Sequence, residues 1–253
     1  MGDSHADRVE RAFSRQAAAF EEQPIFTTDS DWLFERLELD AGDLVLDVAA
    51  GTGQVARALA PSVRCVVALD ATAAMLAAGK AQADRARLRN VVFQRGDAAA
   101  LPFADATFDV VVSRFAVHHF EDPTPPLAEM RRCLRPGGRL AIADIIAADD
   151  PAVAALQNRL ERLRDPSHAR LLPLTELVAL VPRSPGVEVR DFDRPLAPWL
   201  EQTATSDEAA AEITAALRAE LAGGPPTGFR PSESGGELRF VHRLASIIAQ
   251  QRR

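Results

Sequence analysis

Asp47, Asp70 and Asp97 each close a short apolar run, and the turn Gly51-Thr52-Gly53 follows the first of them almost at once. Glycine has no Cβ, so the turn can be tight and a ligand can approach the main chain. A carboxylate placed just ahead of such a turn repels an anionic pyrophosphate and attracts a cationic amino group. The run Gly51-Thr52-Gly53-Gln54-Val55-Ala56 also satisfies the relaxed G-x-G-x-x-A form of the dinucleotide fingerprint. It therefore raises the reading of an NAD(P)-dependent oxidoreductase. Against that reading stand the position of Asp47 and the lack of any tyrosine, and so of any Tyr-x-x-x-Lys pair. His118 and His119 supply a second kind of chemistry, because an imidazole exchanges its proton near neutral pH.

The elements needed to position these residues are legible around them. Leu44 to Val48 reads as a strand, Gln54 to Ala60 as a helix, Val63 to Leu69 as a strand and Thr72 to Ala83 as a helix. Val91 to Phe93 and Phe108 to Ser113 continue the strands, Pro125 to Cys133 is a helix, and Pro136-Gly137-Gly138 turns into a strand over Arg139 to Asp144. Apolar strands alternating with helices imply a parallel sheet covered on both faces, doubly wound by right-handed crossovers. In such sheets ligands bind beyond the carboxyl ends of the strands. The acids, the glycine turn and the histidines should therefore meet in one crevice. Asp7 to Phe20 and Asp31 to Leu37 read as helices ahead of the sheet. Val153 to Arg164, Thr175 to Leu180 and Asp207 to Leu221 read as helices after it. Val187 to Phe192 and a stretch within Glu237 to Ile248 complete the strands.

Taken in order, five segments resemble one family. Val45 to Gly53 looks like the first motif of class I S-adenosylmethionine-dependent methyltransferases, and Val67 to Leu76 resembles the second. Gly96-Asp97 with Leu101-Pro102-Phe103, then Phe108-Asp109-Val110-Val111, then Leu134 to Gly138, match the later motifs. The resemblance is strongest to the type 11, ubiquinone- and menaquinone-biosynthesis-like branch. It implies an α/β fold: a Rossmann-like seven-stranded sheet, mostly parallel with the last strand antiparallel, under an N-terminal helical cap. Residues 1–40 would form the cap and 41–253 the methyltransferase domain, with 151–180 and 197–236 walling an acceptor pocket or acting as a lid; a plain surface insertion is an equally good reading of the helix and loop between the last two strands.

The resemblance also assigns roles. Asp70 would accept both ribose hydroxyls, beside Ala71, and Asp97 would accept from the adenine amino group, with the Ala98 amide on a ring nitrogen. Ala49, Gly51, Thr52 and Gly53 would line the methionine end, and Asp47 would balance its ammonium. Met75 and Phe103 would flank the adenine, and Ser113 and Phe20 would complete the cofactor site. Where relatives often carry a tyrosine, this chain has Phe20, which removes a phenol from the site. His118 or His119 would act as a base if the acceptor must lose a proton. His168 could enter the site from the variable region together with Arg170, although a solvated helix end is the more ordinary reading of that stretch.

Composition narrows the partners. The chain has 253 residues, 47% of them apolar, and a formal charge of −7, which disfavours phosphate-backbone binding. Ser113-Arg114-Phe115-Ala116 lacks the aromatic Pro-Pro motif that holds a flipped base. The acceptor is therefore expected to be a small molecule, methylated on carbon or oxygen, with no nucleic acid, no membrane and no metal. Arg114, Arg170, Arg230 and Arg239 could recognise an acidic acceptor. The alternative is an S-adenosylmethionine-binding protein that does not methylate, or one that runs a cyclisation or decarboxylation. The charged N-terminus has no signal-peptide core, and Cys65 and Cys133 read as free thiols, so the expected compartment is the cytoplasm. Arginine and alanine usage, with Lys80 the lone lysine, resembles that of a GC-rich bacterium. A monomer or homodimer is expected.

Overall fold

The computed structural model describes residues 4–17, 32, 36–181 and 186–251. A first helix, α1 (His5–Gln16), starts at a capping box: the Asp7 amide donates to the Ser4 hydroxyl and the Ser4 amide donates to the Asp7 carboxylate. Phe20 and most of the expected helix from 31 to 37 lie outside the described residues.

The sheet then builds strand by strand. β1 (Leu44–Val48), α2 (Gln54–Leu59), β2 (Cys65–Asp70), α3 (Ala73–Arg85), β3 (Val91–Arg95) and β4 (Phe108–Arg114) follow one another. After them come α4 (Thr124–Cys133), β5 (Leu134–Ala147), α5 (Pro151–Arg164), β6 (Leu172–Pro173) and α6 (Leu174–Ala179). The chain ends with β7 (Gly186–Pro195), α7 (Leu196–Glu201), α8 (Asp207–Leu221), β8 (Ser232–Ser234) and β9 (Glu237–Gln250). Seven strands lie in the order β3-β2-β1-β4-β5-β9-β7. β1 to β5 pair in parallel, while β9 runs antiparallel to both β5 and β7. The expected architecture is present, with two short additions: β6 on β5 and β8 on β9.

β1 and β4 are flanked on both sides, so they can only be apolar runs, and Val45, Leu46, Val48, Val110 and Val111 are fully enclosed. One face of the sheet packs against α4 and α6 through Leu127, Met130, Cys133 and Leu177, and the other against α2 through Val55, Ala56 and Leu59. The segment Pro136-Gly137-Gly138 is not a turn ahead of a strand. It is a bulge inside β5, since Phe108 pairs with Leu134 but Val110 pairs with Arg139, and Gly137 takes φ +82 to allow it. Strand order reverses between β1 and β4, and a crevice opens there at their carboxyl ends.

Candidate active site

A cavity of about 230 Å³ occupies that crevice. Asp47, Ala49, Gly51, Asp70, Ala71, Asp97 and Ala98 line it, as do His118 and His119. The loop after β1 is held in an unusual path, with Ala49 at φ +54, Gly51 at φ +55 and Gly53 at φ +70. At Gly51 an added Cβ would meet nothing, so this glycine answers to conformation and to the open cradle in front of it. Helix α3 presses on the loop from behind: a Cβ on Gly79 would stand 2.0 Å from the Thr52 carbonyl oxygen.

The acids are held by main-chain amides. Asp70 Oδ2 accepts from the Gly51 amide at 2.8 Å and Oδ1 from the Thr72 amide at 2.7 Å. Burial raises the Asp70 pKa, and these two amides work against that rise. Asp47 is 1% exposed, and its Oδ2 accepts from the Ala56 amide at 3.1 Å. Burial pushes its carboxyl up to about 7, with Arg114 nearby opposing the shift. A buried carboxyl in that condition is matched to a cationic ligand. Beside it, the Gln54 side chain lines the cavity; its Oε1 accepts from Arg114 at 2.8 Å, while its buried Nε2 has no hydrogen-bond partner among the described residues. A cation-seeking acid and an idle amide donor a few residues apart fit the ammonium and carboxylate of an amino-acid ligand. Asp97 is exposed, and its Oδ1 accepts from the Ala99 amide at 2.8 Å.

Other expected site residues are placed elsewhere. Thr52, Gly53 and Met75 are buried and do not line the cavity. Ser113 does not either: its hydroxyl donates to the Val48 carbonyl at 2.9 Å and ties β4 to β1. Phe103 packs edge-on against Phe108 at 5.0 Å instead of facing the cavity.

The histidines form the far wall. His118 Nδ1 lies 2.5 Å from Asp144 Oδ1, and the His118 amide donates to the other Asp144 oxygen at 3.2 Å. Burial alone would lower the His118 pKa, but the Asp144 carboxylate outweighs it and the net shift is upward. His119 donates from Nδ1 to the Ser167 carbonyl at 3.0 Å. Burial and the neighbouring His118 take its pKa down to about 4. His168 is not the solvated group expected from the sequence. It is 3% exposed, its ring stacks 4.9 Å from His118, and neither of its nitrogens has a hydrogen-bond partner among the described residues. The loop after α5 folds under β4's end here, with the Ala169 and Arg170 amides donating to the His118 carbonyl.

Helix α1 contributes to the cavity lining. Val9, Phe13 and Gln16 face the cavity, the Phe13 ring packs edge-on to His119 at 4.9 Å, and His5 Nε2 donates to the His119 carbonyl at 2.7 Å. From the expected lid segments only Arg164, Asp165, Trp199, Gln202 and Thr203 reach the cavity. Helix α8 instead packs Ile213 and Leu217 into a satellite core with Leu160, Trp199, Phe229 and Phe240, buttressing the wall from outside.

Asp144, Gln54, Arg194, Trp199 and His242 belong to this cavity or its supports and were not singled out by sequence. Asp144 had a signal, since it interrupts an apolar strand near its carboxyl end as Asp47 does. Gln54 directly follows the glycines. The others sit in the irregular last third and carry no motif.

Comparison with known proteins gives a consistent result. The methyltransferase-domain family matches over residues 46–142. YcgJ of Bacillus subtilis, an uncharacterized methyltransferase, is 36% identical over 173 residues, 68% of each chain. Its crystal structure superposes with a TM-score of 0.79 at 28% identity, covering 88% of this chain and 97% of that one. The 27-O-demethylrifamycin SV methyltransferase of Amycolatopsis mediterranei is 35% identical, over 59% of this chain and 54% of its own. The demethylmenaquinone methyltransferase of Renibacterium salmoninarum is 37% identical, over 56% of this chain and 60% of its own. The chain thus spans little more than half the length of these last two relatives.

Proposed function

The chain belongs to the methyltransferase-domain family, type 11 of the class I S-adenosylmethionine-dependent enzymes, and from that premise we propose that it methylates an oxygen or acidic carbon of a small organic acceptor, with His118 as base. One observation carries the reading: the strand-end acids and the His118–Asp144 pair line or support a single cavity. Two relatives name small-molecule acceptors, one of them methylated at oxygen.

Bound there, S-adenosylmethionine supplies a methyl group already activated on a sulfonium. Asp47 balances the ammonium, and Gln54 with Arg114 meets the carboxylate. Asp70 accepts from the ribose hydroxyls through the lone pairs its two amide bonds leave open. Asp97 and the Ala98 amide meet the adenine edge. Helix α1, through Val9, Phe13 and Gln16, keeps water from the transfer site. Holding an acceptor atom in line supplies on the order of 7–11 kcal/mol of barrier reduction. His118 gives its Nδ1 hydrogen to Asp144, which leaves Nε2 to take the acceptor's proton. The free thiols Cys65 and Cys133 suit a reducing compartment, the cytoplasm. No helix among the described residues is long and apolar enough to cross a membrane, and none of their His, Cys, Asp and Glu clusters suits a metal.

The test is S-adenosylhomocysteine release with a panel of phenols, alcohols and 1,3-dicarbonyl compounds. Acceptor-dependent release, lost in His118→Ala, is expected. Cofactor binding without release for every acceptor class would contradict methyl transfer.

A further inference from the structure

The half of the cavity remote from the glycine turn carries charge that cofactor binding does not use. Its wall comes from the ends of α5 and β7, from α7 and from β9, which contribute Arg164, Arg194, Trp199 and His242. Arg194 is 8% exposed, and the Arg164 side chain is largely enclosed as well. A guanidinium stays ionised in proteins, and enclosing one costs several kcal/mol unless charge and hydrogen bonds compensate.

The surroundings compensate Arg164 only in part. Its guanidinium lies over the Trp199 indole, 4.6 Å from the ring centroid, which engages the flat face and not the N–H edge. Its buried Nε makes no hydrogen bond among the described residues; the ion-pair partner, Glu161 Oε2, stands 3.5 Å away. Glu161 is shared, since its Oε1 lies 3.1 Å from His242 Nε2. The acid on the wall itself, Asp165, also feels the Arg164 charge, but its Oδ1 is committed to its own loop, accepting from the Ser167 amide at 2.9 Å and hydroxyl at 2.6 Å. Three arginines that the sequence offered for an acidic ligand are engaged at the surface: Arg170 with Glu176, Arg230 with Asp191 and Arg239 with Asp193.

We propose that this wall is the acceptor subsite and that it takes a small acceptor bearing a carboxylate on an apolar body, the carboxylate between Arg164 and Arg194 and the body against Trp199 and Phe115. The proposal rests on the reading that the other half of the cavity holds S-adenosylmethionine. A planar carboxylate matches the guanidinium fork and gives the short, charge-assisted bonds that Arg164 lacks from Glu161. The aromatic wall supplies area for the body without further charge.

Benzoate and benzamide, alike in shape and different in charge, distinguish the idea. Each is titrated calorimetrically into protein saturated with S-adenosylhomocysteine at fixed ionic strength. Benzoate is expected to bind at least ten-fold more tightly than benzamide, and that ratio should fall below two-fold in Arg164→Gln and in Arg194→Gln. Both variants should keep their affinity for S-adenosylhomocysteine. Equal binding of the two probes, binding of neither, or a ratio retained in both variants overturns the proposal, while S-adenosylhomocysteine binding keeps the methyltransferase reading intact. Failure of the folded wild type to bind S-adenosylhomocysteine overturns that reading, and this one with it. If a variant does not melt cooperatively, the wild-type ratio of the two probes decides alone.

Discussion

Asp70 and Gly51 are joined by a 2.8 Å hydrogen bond from the glycine amide to the carboxylate, so the acid ending β2 fixes the turn that follows β1. The second Asp70 oxygen accepts from the Thr72 amide at the start of α3. One side chain thus ties together the three segments around the proposed ribose position. Asp70→Ala leaves two amides without this partner, at about 1–3 kcal/mol for each that stays buried. We expect a lower melting temperature and loss of cofactor affinity by more than about 100-fold, roughly 2.7 kcal/mol. Asp70→Asn, which keeps one acceptor oxygen, should fall between. Unchanged melting of the alanine variant would show that the turn holds itself.

Asp47 should make both stability and cofactor affinity depend on pH, in opposite directions. Its folded pKa of about 7 lies above the roughly 3.9 of an unfolded aspartate, and burial is the chief cause. The folded chain therefore keeps a proton that the unfolded chain has released, and stability contributed by this group is lost as pH rises from about 4 to about 7. An ammonium ligand favours the ionised carboxylate, so its affinity should rise over the same interval and level off above it. Asp47→Asn should flatten both trends, with higher melting at pH 8 and weaker cofactor binding. Calorimetry at pH 5.5 and 8 reads both effects.

Gly79 is the support of the glycine loop, hidden from any motif. A Cβ there would overlap the Thr52 carbonyl oxygen, which is backbone and cannot swing aside. Gly79→Ala should push α3 from the loop, destabilise the fold by about 1–3 kcal/mol and weaken cofactor binding. A variant that melts normally and binds the cofactor normally would show that α3 shifts freely.

The order of strands, the two-faced cover and the convergence of Asp47, Gly51, Asp70 and Asp97 were legible because each follows from local pattern. Buried strands are apolar runs, and the acids that line the cavity stand at or just past their ends. The family pattern assigns Ser113 and Met75 to the cofactor site; in the structure the Ser113 hydroxyl meets a strand carbonyl and Met75 lies on the enclosed face of α3. The polar Asp-Pro-Ser stretch favours a solvated His168, whereas the chain packs its ring against His118, nearer the alternative reading in which it enters from the variable region. Arg194 and Trp199 are brought to the cavity by β7 and α7, elements with no chemical signature of their own.

His118 should set the pH dependence of turnover. Asp144 raises its pKa despite burial, so the rate should rise with pH through a value above that of a free imidazole, as the ring loses its proton. Asp144→Asn removes the raising charge and should move this limb to lower pH while lowering kcat. His118→Ala should lower kcat by about 10²–10⁴-fold with little change in cofactor affinity. His119, whose pKa is about 4, is neutral throughout this range, and His119→Asn should leave the limb in place. A limb unmoved by Asp144→Asn would remove the pair from the proton step.

The most direct test of cofactor use is isothermal titration of S-adenosylmethionine, S-adenosylhomocysteine and NADH into wild type and Asp70→Ala. The account predicts roughly micromolar binding of both sulfur ligands, lost in the variant, and none of NADH. Folded wild-type protein that binds neither sulfur ligand, or binds NADH in their place, would contradict it.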